Sequence, residues 1–211
     1  MDLEFIGLST NRLFVLLFLG LGPIRIIMAW MNIAIDLTAK EQRRVAWRIT
    51  WVGMVMVIGI MFLGFFTVKN IAPQKEWVAI GASFVLIVST LAHRSPEPQV
   101  SDEPPFQKAM RMAVYPLAVP TMINPAGLGI LIIVSAYVSE PAPYLTFFGV
   151  VAFIFLINFG LMLLVGHYHR GMSTAVMALV GQVFAILLVS LGVYVIFTAM
   201  SRLGIITLAV E

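Results

Sequence analysis

The sequence contains no cysteine, which excludes disulfide bonds and any metal or nucleophile site built on a thiolate. Charged residues are also scarce, at 11% of the chain against the roughly 25% of an average soluble domain. Hydrophobic residues make up 61% of the chain, and its mean hydropathy is +1.01. This composition predicts a membrane protein that has no separate soluble domain and no nucleic-acid partner.

Apolar runs of about 20 residues are long enough to cross a bilayer as helices. Six runs reach or approach this length: 13–35, 49–68, 77–92, 112–138, 144–166 and 175–200. We therefore predict an all-α membrane protein, with six transmembrane helices in a single domain over residues 1–211. Four prolines and mixed charges mark residues 93–108 as a linker between half one (1–92) and half two (109–211).

The basic residues predict how the chain crosses the membrane. The loops between runs one and two, three and four, and five and six carry eight Lys or Arg residues, against four on the other side. By the positive-inside rule, these loops face the cytoplasm of a bacterial or archaeal cell and both termini are external. Within the first of these loops, Thr38 and Glu41 have the spacing of a helix-starting capping box.

Prolines and glycines interrupt two of the runs. Three prolines and two glycines lie within residues 116–129, and Gly22 and Pro23 lie inside the first run. Proline removes a backbone donor and clashes with the preceding turn, so we predict that helices 1 and 4 are broken at mid-membrane. Lipid cannot satisfy the freed backbone groups, and such breaks therefore lie in protein or line a cavity.

The two breaks occupy corresponding positions in the two halves of the chain. Pro125 follows Pro23 by 102 residues (125 minus 23), which is nearly half of 211. Because each half has three spans, the second half must run opposite to the first across the membrane. The expected architecture is an inverted 3+3 repeat, and interrupted helices at matching positions are typical of a transporter's binding site.

A few polar residues inside the runs could contact a ligand. Arg25 lies two positions after the first proline, and none of the six runs contains Asp or Glu. A buried arginine without a counter-charge favours an anionic ligand group, although snorkelling or a bond to backbone carbonyls is an alternative. Asn124 could cap a half-helix or contact substrate. Asn158 could line the site, or it could cross-link helices. Thr121 could also line the site, or its hydroxyl could bond to a backbone carbonyl. The predicted substrate site comprises Gly22, Pro23, Arg25, Asn124, Pro125, Gly127, Thr121 and Asn158.

Neither an enzyme nor a cofactor-dependent protein is expected. The sequence has no Gly-rich phosphate loop, zinc motif or set of nucleophile and base. His167 and His169 do not share a helix face and have no evident third ligand, so no metal site is predicted.

Three motifs together resemble the MarC family of integral membrane proteins, which includes small neutral amino acid transporters. They are residues 37–48 (LTAKEQRRVAWR), residues 115–120 (YPLAVP) and residues 124–127 (NPAG). The resemblance covers about residues 10–205, and it implies six spans with each break near a central site. The family's first break usually reads Asn-Pro-x-Gly, whereas this chain has Gly22-Pro-Ile-Arg25. The arginine leaves room for a larger or more anionic solute.

Three functions are compatible with these residues. The first is a secondary-type transporter of an amino acid or anionic metabolite in the inner membrane, working by alternating access. The second is a flippase for an anionic, phosphate-bearing lipid, which needs a cavity open to the bilayer. The third is a membrane assembly or sensor protein in which the breaks only shape packing. Membrane lipids are expected partners, and the glycine-rich helix faces permit a homo-oligomer.

Overall fold

The computed structural model describes residues 10–21, 23–70, 75–91, 103–123, 125–138, 141–168 and 174–206. Every regular element in this part of the chain is helical, in agreement with the predicted all-α class. The elements are α1 (Thr10–Gly20), α2 (Pro23–Ala34), α3 (Ala39–Asn70), α4 (Lys75–Leu91), α5 (Pro105–Met112), a π-helical segment (Ala113–Met122), α6 (Pro125–Tyr137), α7 (Pro141–Tyr168) and α8 (Thr174–Arg202).

The first apolar run is broken where the sequence predicted. Helix α1 ends at Gly20, and the Leu21 N–H completes its last turn by donating to the Leu17 carbonyl at 2.7 Å. Helix α2 begins at Pro23. Proline lacks the N–H group, but the N–H of the first helical residue has no acceptor within the helix, so no helical hydrogen bond is lost. Gly22 lies outside the described residues. The prediction of a break in helix 1 is confirmed.

The fourth run is interrupted more than once. Inside the π-helical segment, Tyr115 (φ −134°, ψ 125°) and Val119 (φ −134°, ψ 126°) have extended backbones. Each precedes a proline, Pro116 or Pro120, whose ring disfavours the helical conformation of the residue before it. A further helix, α6, starts at Pro125. The prediction that this run is not a continuous helix is confirmed, while Asn124 falls outside the part of the chain that the structure describes.

Helix α3 starts with half of the predicted capping box. The Thr38 N–H donates to Glu41 Oε2 at 2.9 Å, as expected for a glutamate that reaches back. The Thr38 hydroxyl, which was expected to accept from an early amide, instead donates to the same carboxylate oxygen at 2.6 Å. The carboxylate is the stronger acceptor of the available groups, because it carries a charge.

Within the described residues, three helical stretches are long and apolar enough to cross a membrane alone: Ala39–Phe66, Pro143–Gly166 and Ala185–Arg202. Helix α4 has a shorter apolar stretch, Glu76–Leu91. The first and fourth runs do not qualify as single helices, because the breaks divide each of them into pieces of 13 residues or fewer. The number of membrane crossings and the inverted repeat remain predictions.

Helices α3 and α7 pack against each other and run antiparallel. Positions that ascend along α3 contact positions that descend along α7: Gln42 with Gly166, Trp47 with Phe159, Gly53 with Phe155, and Phe65 with Tyr144. In contrast, the broken pair α1–α2 runs parallel to α7, as shown by contacts of Phe14 with Phe153, Leu21 with Asn158, and Trp30 with Met162. Helices α1 and α2 therefore continue in one direction across the break.

Two pairs of helices, one member in each half of the chain, begin 102 residues apart. Helices α2 and α6 start at Pro23 and Pro125, and helices α3 and α7 start at Ala39 and Pro141. Helix α5 was not predicted, since it begins at Pro105 within the proposed linker 93–108. Proline is well tolerated in the first turn of a helix. Pro105 therefore ends the proposed linker and also starts helix α5.

Candidate functional site

The two helix breaks meet in the interior of the protein. Gly20 at the end of α1 packs backbone to backbone against Gly127 in the first turn of α6. A Cβ added to Gly127 would lie 2.7 Å from the Gly20 carbonyl oxygen, and a Cβ added to Gly20 would lie 3.2 Å from the Gly127 Cα. Only glycine on both sides permits this approach. We call the contact between Gly20 and Gly127 the break junction.

Asn158 of α7 ties the first break to the rest of the protein. Its side chain is fully buried, and its Nδ2 donates to the Leu21 carbonyl at 2.9 Å. The end of α1 leaves carbonyls without helical partners, and Asn158 satisfies one of them. The other side-chain atom, Oδ1, has no hydrogen-bond partner within the part of the chain that the structure describes. Asn158 therefore cross-links two elements and still has one acceptor to offer.

Three further buried side chains carry hydroxyl oxygens without a partner among the described residues: Thr121, Ser83 and Ser135. Thr121 lies at the end of the π-helical segment, next to the second break, while Ser83 lies in α4 and Ser135 in α6. A buried polar atom that makes no hydrogen bond costs roughly 1–3 kcal/mol. Such atoms are suited to bind a polar molecule that enters the protein interior.

Three of the predicted site residues can be placed by their contacts or burial: Gly127, Thr121 and Asn158. Gly127 forms the break junction, and Asn158 holds the backbone beside it. The backbones of Pro23 and Arg25 lie in the first turn of α2, and that of Pro125 starts α6. The side chains of these three residues are not among those described, and Gly22 and Asn124 lie wholly outside the described ranges.

Sequence reasoning missed Gly20, the partner of Gly127, and the Leu21 carbonyl, the partner of Asn158. It also missed a lock at the end of α2 that faces the first basic loop. Gln42 is buried there, and its Nε2 donates to the carbonyls of Ala34 at 2.8 Å and Leu37 at 3.1 Å, and at 3.4 Å to that of Gly166. The indole of the neighbouring Trp30 donates to the Met162 carbonyl at 2.7 Å. We call these bonds of Gln42 and Trp30 the α2–α7 lock.

The side chains that the structure places in this arrangement offer hydrogen bonds. The side chains placed at or beside the break junction are neutral, and they offer an amide oxygen and a hydroxyl. Groups of three or more His, Asp or Glu side chains that could hold a metal ion are absent from the described part of the chain. The helix ends that meet at the break junction also carry partial charges on their backbone amides and carbonyls.

Comparison with known protein families assigns most of the chain to a family. The family described as MarC family integral membrane protein matches residues 8–203, which is most of the chain. No curated protein and no solved structure matches the sequence.

Proposed function

Since the chain belongs to the MarC family of integral membrane proteins, we propose that it transports a small organic solute across the inner membrane. The observation that carries this proposal is the break junction, where two interrupted helices meet beside the buried Asn158, whose Oδ1 has no partner among the described residues. Helices broken at matching positions of two halves are characteristic of substrate sites in secondary transporters. The solute is an amino acid or an anionic metabolite.

An inverted 3+3 repeat would place the two halves around a two-fold axis at this site. Three facts support it: the shared offset of 102 residues between helix starts, the antiparallel packing of α3 and α7, and the contact between Gly53 and Phe155. Gly53 and Phe155 are themselves 102 residues apart (155 minus 53), so equivalent positions touch one another. Equivalent positions meet only close to a symmetry axis.

Further correspondence comes from the helix contacts. Helix α2 packs on α7 as α6 packs on α3, and α1 contacts α6 as the π-helical segment contacts α2. Exchanging the two halves therefore preserves these contacts. In the proposed topology, the first basic loop is cytoplasmic and both termini are external.

Each predicted site residue has a role in this proposal. Gly22, Pro23, Asn124 and Pro125 define the two breaks, and Gly127 allows them to approach. Asn158 and Thr121 offer hydrogen bonds to the solute. Arg25, in the first turn of α2, binds its anionic group through a two-bond guanidinium contact.

Alternating access requires the break junction to open. The junction is closed in this structure, because Gly20 and Gly127 are in contact and Leu21, Met122 and Ile123 beside them are buried. At the cytoplasmic end, the α2–α7 lock closes the path. Opening to the cytoplasm would break the bonds of Gln42 and Trp30, and opening to the outside would separate the ring contact of Phe65 with Tyr144 at the other end.

A second candidate function is that of a membrane protein without transport activity, in which the breaks serve packing alone. The observation in its favour is the same close contact, since Gly20 and Gly127 leave no room for even a methyl group between them. The two candidates differ in whether the junction ever opens.

A thermal-shift screen of the purified protein tests the proposal. Amino acids, other carboxylates, phosphates and polyprenyl phosphates are compared on wild type, Arg25→Gln, Asn158→Leu and the exposed control Arg48→Gln. A ligand that binds the native state raises the melting temperature by mass action. We expect one small anionic solute to stabilise wild type and Arg48→Gln but neither site variant. Stabilisation by a phosphate lipid alone, lost in Arg25→Gln, would replace the proposal with a lipid flippase. An absence of any stabilising ligand would favour the second candidate.

A further inference from the structure

A cleft of about 510 Å³ lies at the start of α3, apart from the break junction. It is lined by Lys40, Arg43, Arg44, Trp47 and Phe159, and we call it the basic cleft. The three cationic residues are exposed, and none of the described residues that line the cleft is acidic. The nearby Glu41 interacts with Arg44, but it contributes one negative charge against the three positive charges of the lining. The basic cleft is therefore positively charged.

Aromatic rings of Trp47 and Phe159 complete the lining of the basic cleft as an aromatic wall. The ring centroids of Trp47 on α3 and Phe159 on α7 are 5.8 Å apart with an interplanar angle of 77°. The two rings therefore pack edge to face where α3 and α7 meet. Trp51 stacks on Trp47 at 6.3 Å. Tryptophan is enriched where a membrane meets water, because its ring is apolar and its N–H is polar. This wall is typical of the headgroup level of a bilayer.

The basic cleft continues into an apolar row on the same face of α3. The row consists of exposed residues spaced three or four positions apart: Trp47, Trp51, Val55, Ile58 and Phe62. Helix α3 has 32 residues and is thus about 48 Å long, which exceeds the roughly 30 Å of bilayer hydrocarbon. If the apolar row lies in the hydrocarbon, the basic start of α3 lies among the headgroups.

We propose that the basic cleft binds the phosphate of an anionic phospholipid, with one acyl chain lying along the apolar row. Guanidinium groups of Arg43 and Arg44 can each grip phosphate oxygens with two hydrogen bonds, and Lys40 adds a third positive charge. The continuous apolar row selects a lipid over a free phosphate, which would gain nothing from it. This site is separate from the break junction and does not depend on transport.

The test is a thermal-shift titration in mixed micelles of detergent and phosphatidylcholine, in which an increasing fraction of the phosphatidylcholine is replaced by phosphatidylglycerol. It compares wild type with Arg43→Gln/Arg44→Gln and with the charge-matched control Arg48→Gln/Lys108→Gln, whose residues do not line the cleft. We expect phosphatidylglycerol to stabilise wild type and the control equally. The cleft variant loses the charge-assisted hydrogen bonds of two guanidinium groups to the phosphate, so it should need at least about tenfold more phosphatidylglycerol.

Several results would overturn the lipid site. Equal stabilisation by phosphatidylcholine alone would show that charge is not recognised. An equal loss in the control variant would show that only the overall charge counts, and an equal gain from inorganic phosphate would assign the cleft to a free ion. If the double variant does not fold, native mass spectrometry of Arg43→Gln provides a second measurement. It should retain less phosphatidylglycerol than wild type, while Arg48→Gln retains as much.

Discussion

The break junction predicts that a single methyl group at Gly127 will destabilise the protein. In Gly127→Ala, the new Cβ would lie 2.7 Å from the Gly20 carbonyl oxygen and 3.1 Å from the Gly20 carbonyl carbon. Ordinary contacts of a Cβ begin at 3.4 Å, so α1 and α6 must separate by several tenths of an ångström. Backbone atoms cannot move aside as the end of a side chain can.

The size of the effect follows from two opposing terms. Overpacking of this kind costs about 1–3 kcal/mol, and replacing a helical glycine by alanine returns at most about 1 kcal/mol. The net loss is therefore up to about 2 kcal/mol, which corresponds to a fall in melting temperature of up to about 8 °C for a chain of this length. Gly20→Ala should cost less, because its tightest contact, at 2.6 Å, is the terminal methyl of Ile130.

Thermal unfolding of the purified variants in detergent, followed by intrinsic fluorescence, measures this effect. Gly59→Ala in α3 is the matched control, because a Cβ there meets no atom within 4 Å, and its melting temperature should stay level or rise. The expected order of stability is Gly59→Ala, then Gly20→Ala, then Gly127→Ala. A Gly127→Ala protein as stable as the control would refute the close approach of the two breaks.

Three further substitutions test individual contacts. Gln42→Met removes the hydrogen bonds to the carbonyls at the end of α2 and should lower the melting temperature by about 2–12 °C (about 1–3 kcal/mol). Substitution of the exposed Gln107 by Met should not lower it. An equal fall in both variants would disprove the α2–α7 lock. Thr121→Val removes a buried hydroxyl that has no partner among the described residues, and it should raise the melting temperature by about 2–4 °C (about 1 kcal/mol). Thr90→Val should not, because the Thr90 hydroxyl donates to the Leu86 carbonyl. A fall for Thr121→Val would mean that the Thr121 hydroxyl is hydrogen-bonded. Asn158→Leu leaves the Leu21 carbonyl unpaired and should cost about 1–3 kcal/mol in the same assay, and no change would show that this carbonyl does not need Asn158.

The sequence predicted the helix breaks because the effects of proline are local. Pro116 and Pro120 extend the backbone of the residue before them whatever surrounds it, and Pro23 and Pro125 start new helices. The same local reasoning failed at Pro105, where prolines that suggested a linker begin α5. Proline marks a boundary, but it does not say whether a helix ends or begins there.

Contacts between distant segments could not be predicted in this way. Gly20 and Gly127 are 107 residues apart (127 minus 20), and nothing near either glycine indicates that it faces the other. Gln42 stands in a basic, polar stretch that favours an exposed position, yet it is buried because α2, α3 and α7 converge there. Asn158 was identified as a residue that needs a partner, but only the fold shows that its partner is the backbone at the first break.

The central claim, that the break junction opens alternately to the two sides, can be tested directly because the chain has no cysteine. A single Thr121→Cys substitution places a thiol beside the second break, and Leu188→Cys places one in the core that α8 shares with other helices. Both native side chains are buried in the closed structure. Membrane-impermeant maleimides are then applied to each side of reconstituted vesicles. Our account predicts that the thiol of Thr121→Cys reacts from both sides and that the solute slows this reaction, while the thiol of Leu188→Cys does not react. If neither thiol reacts from either side, the junction stays closed and the transport proposal is contradicted.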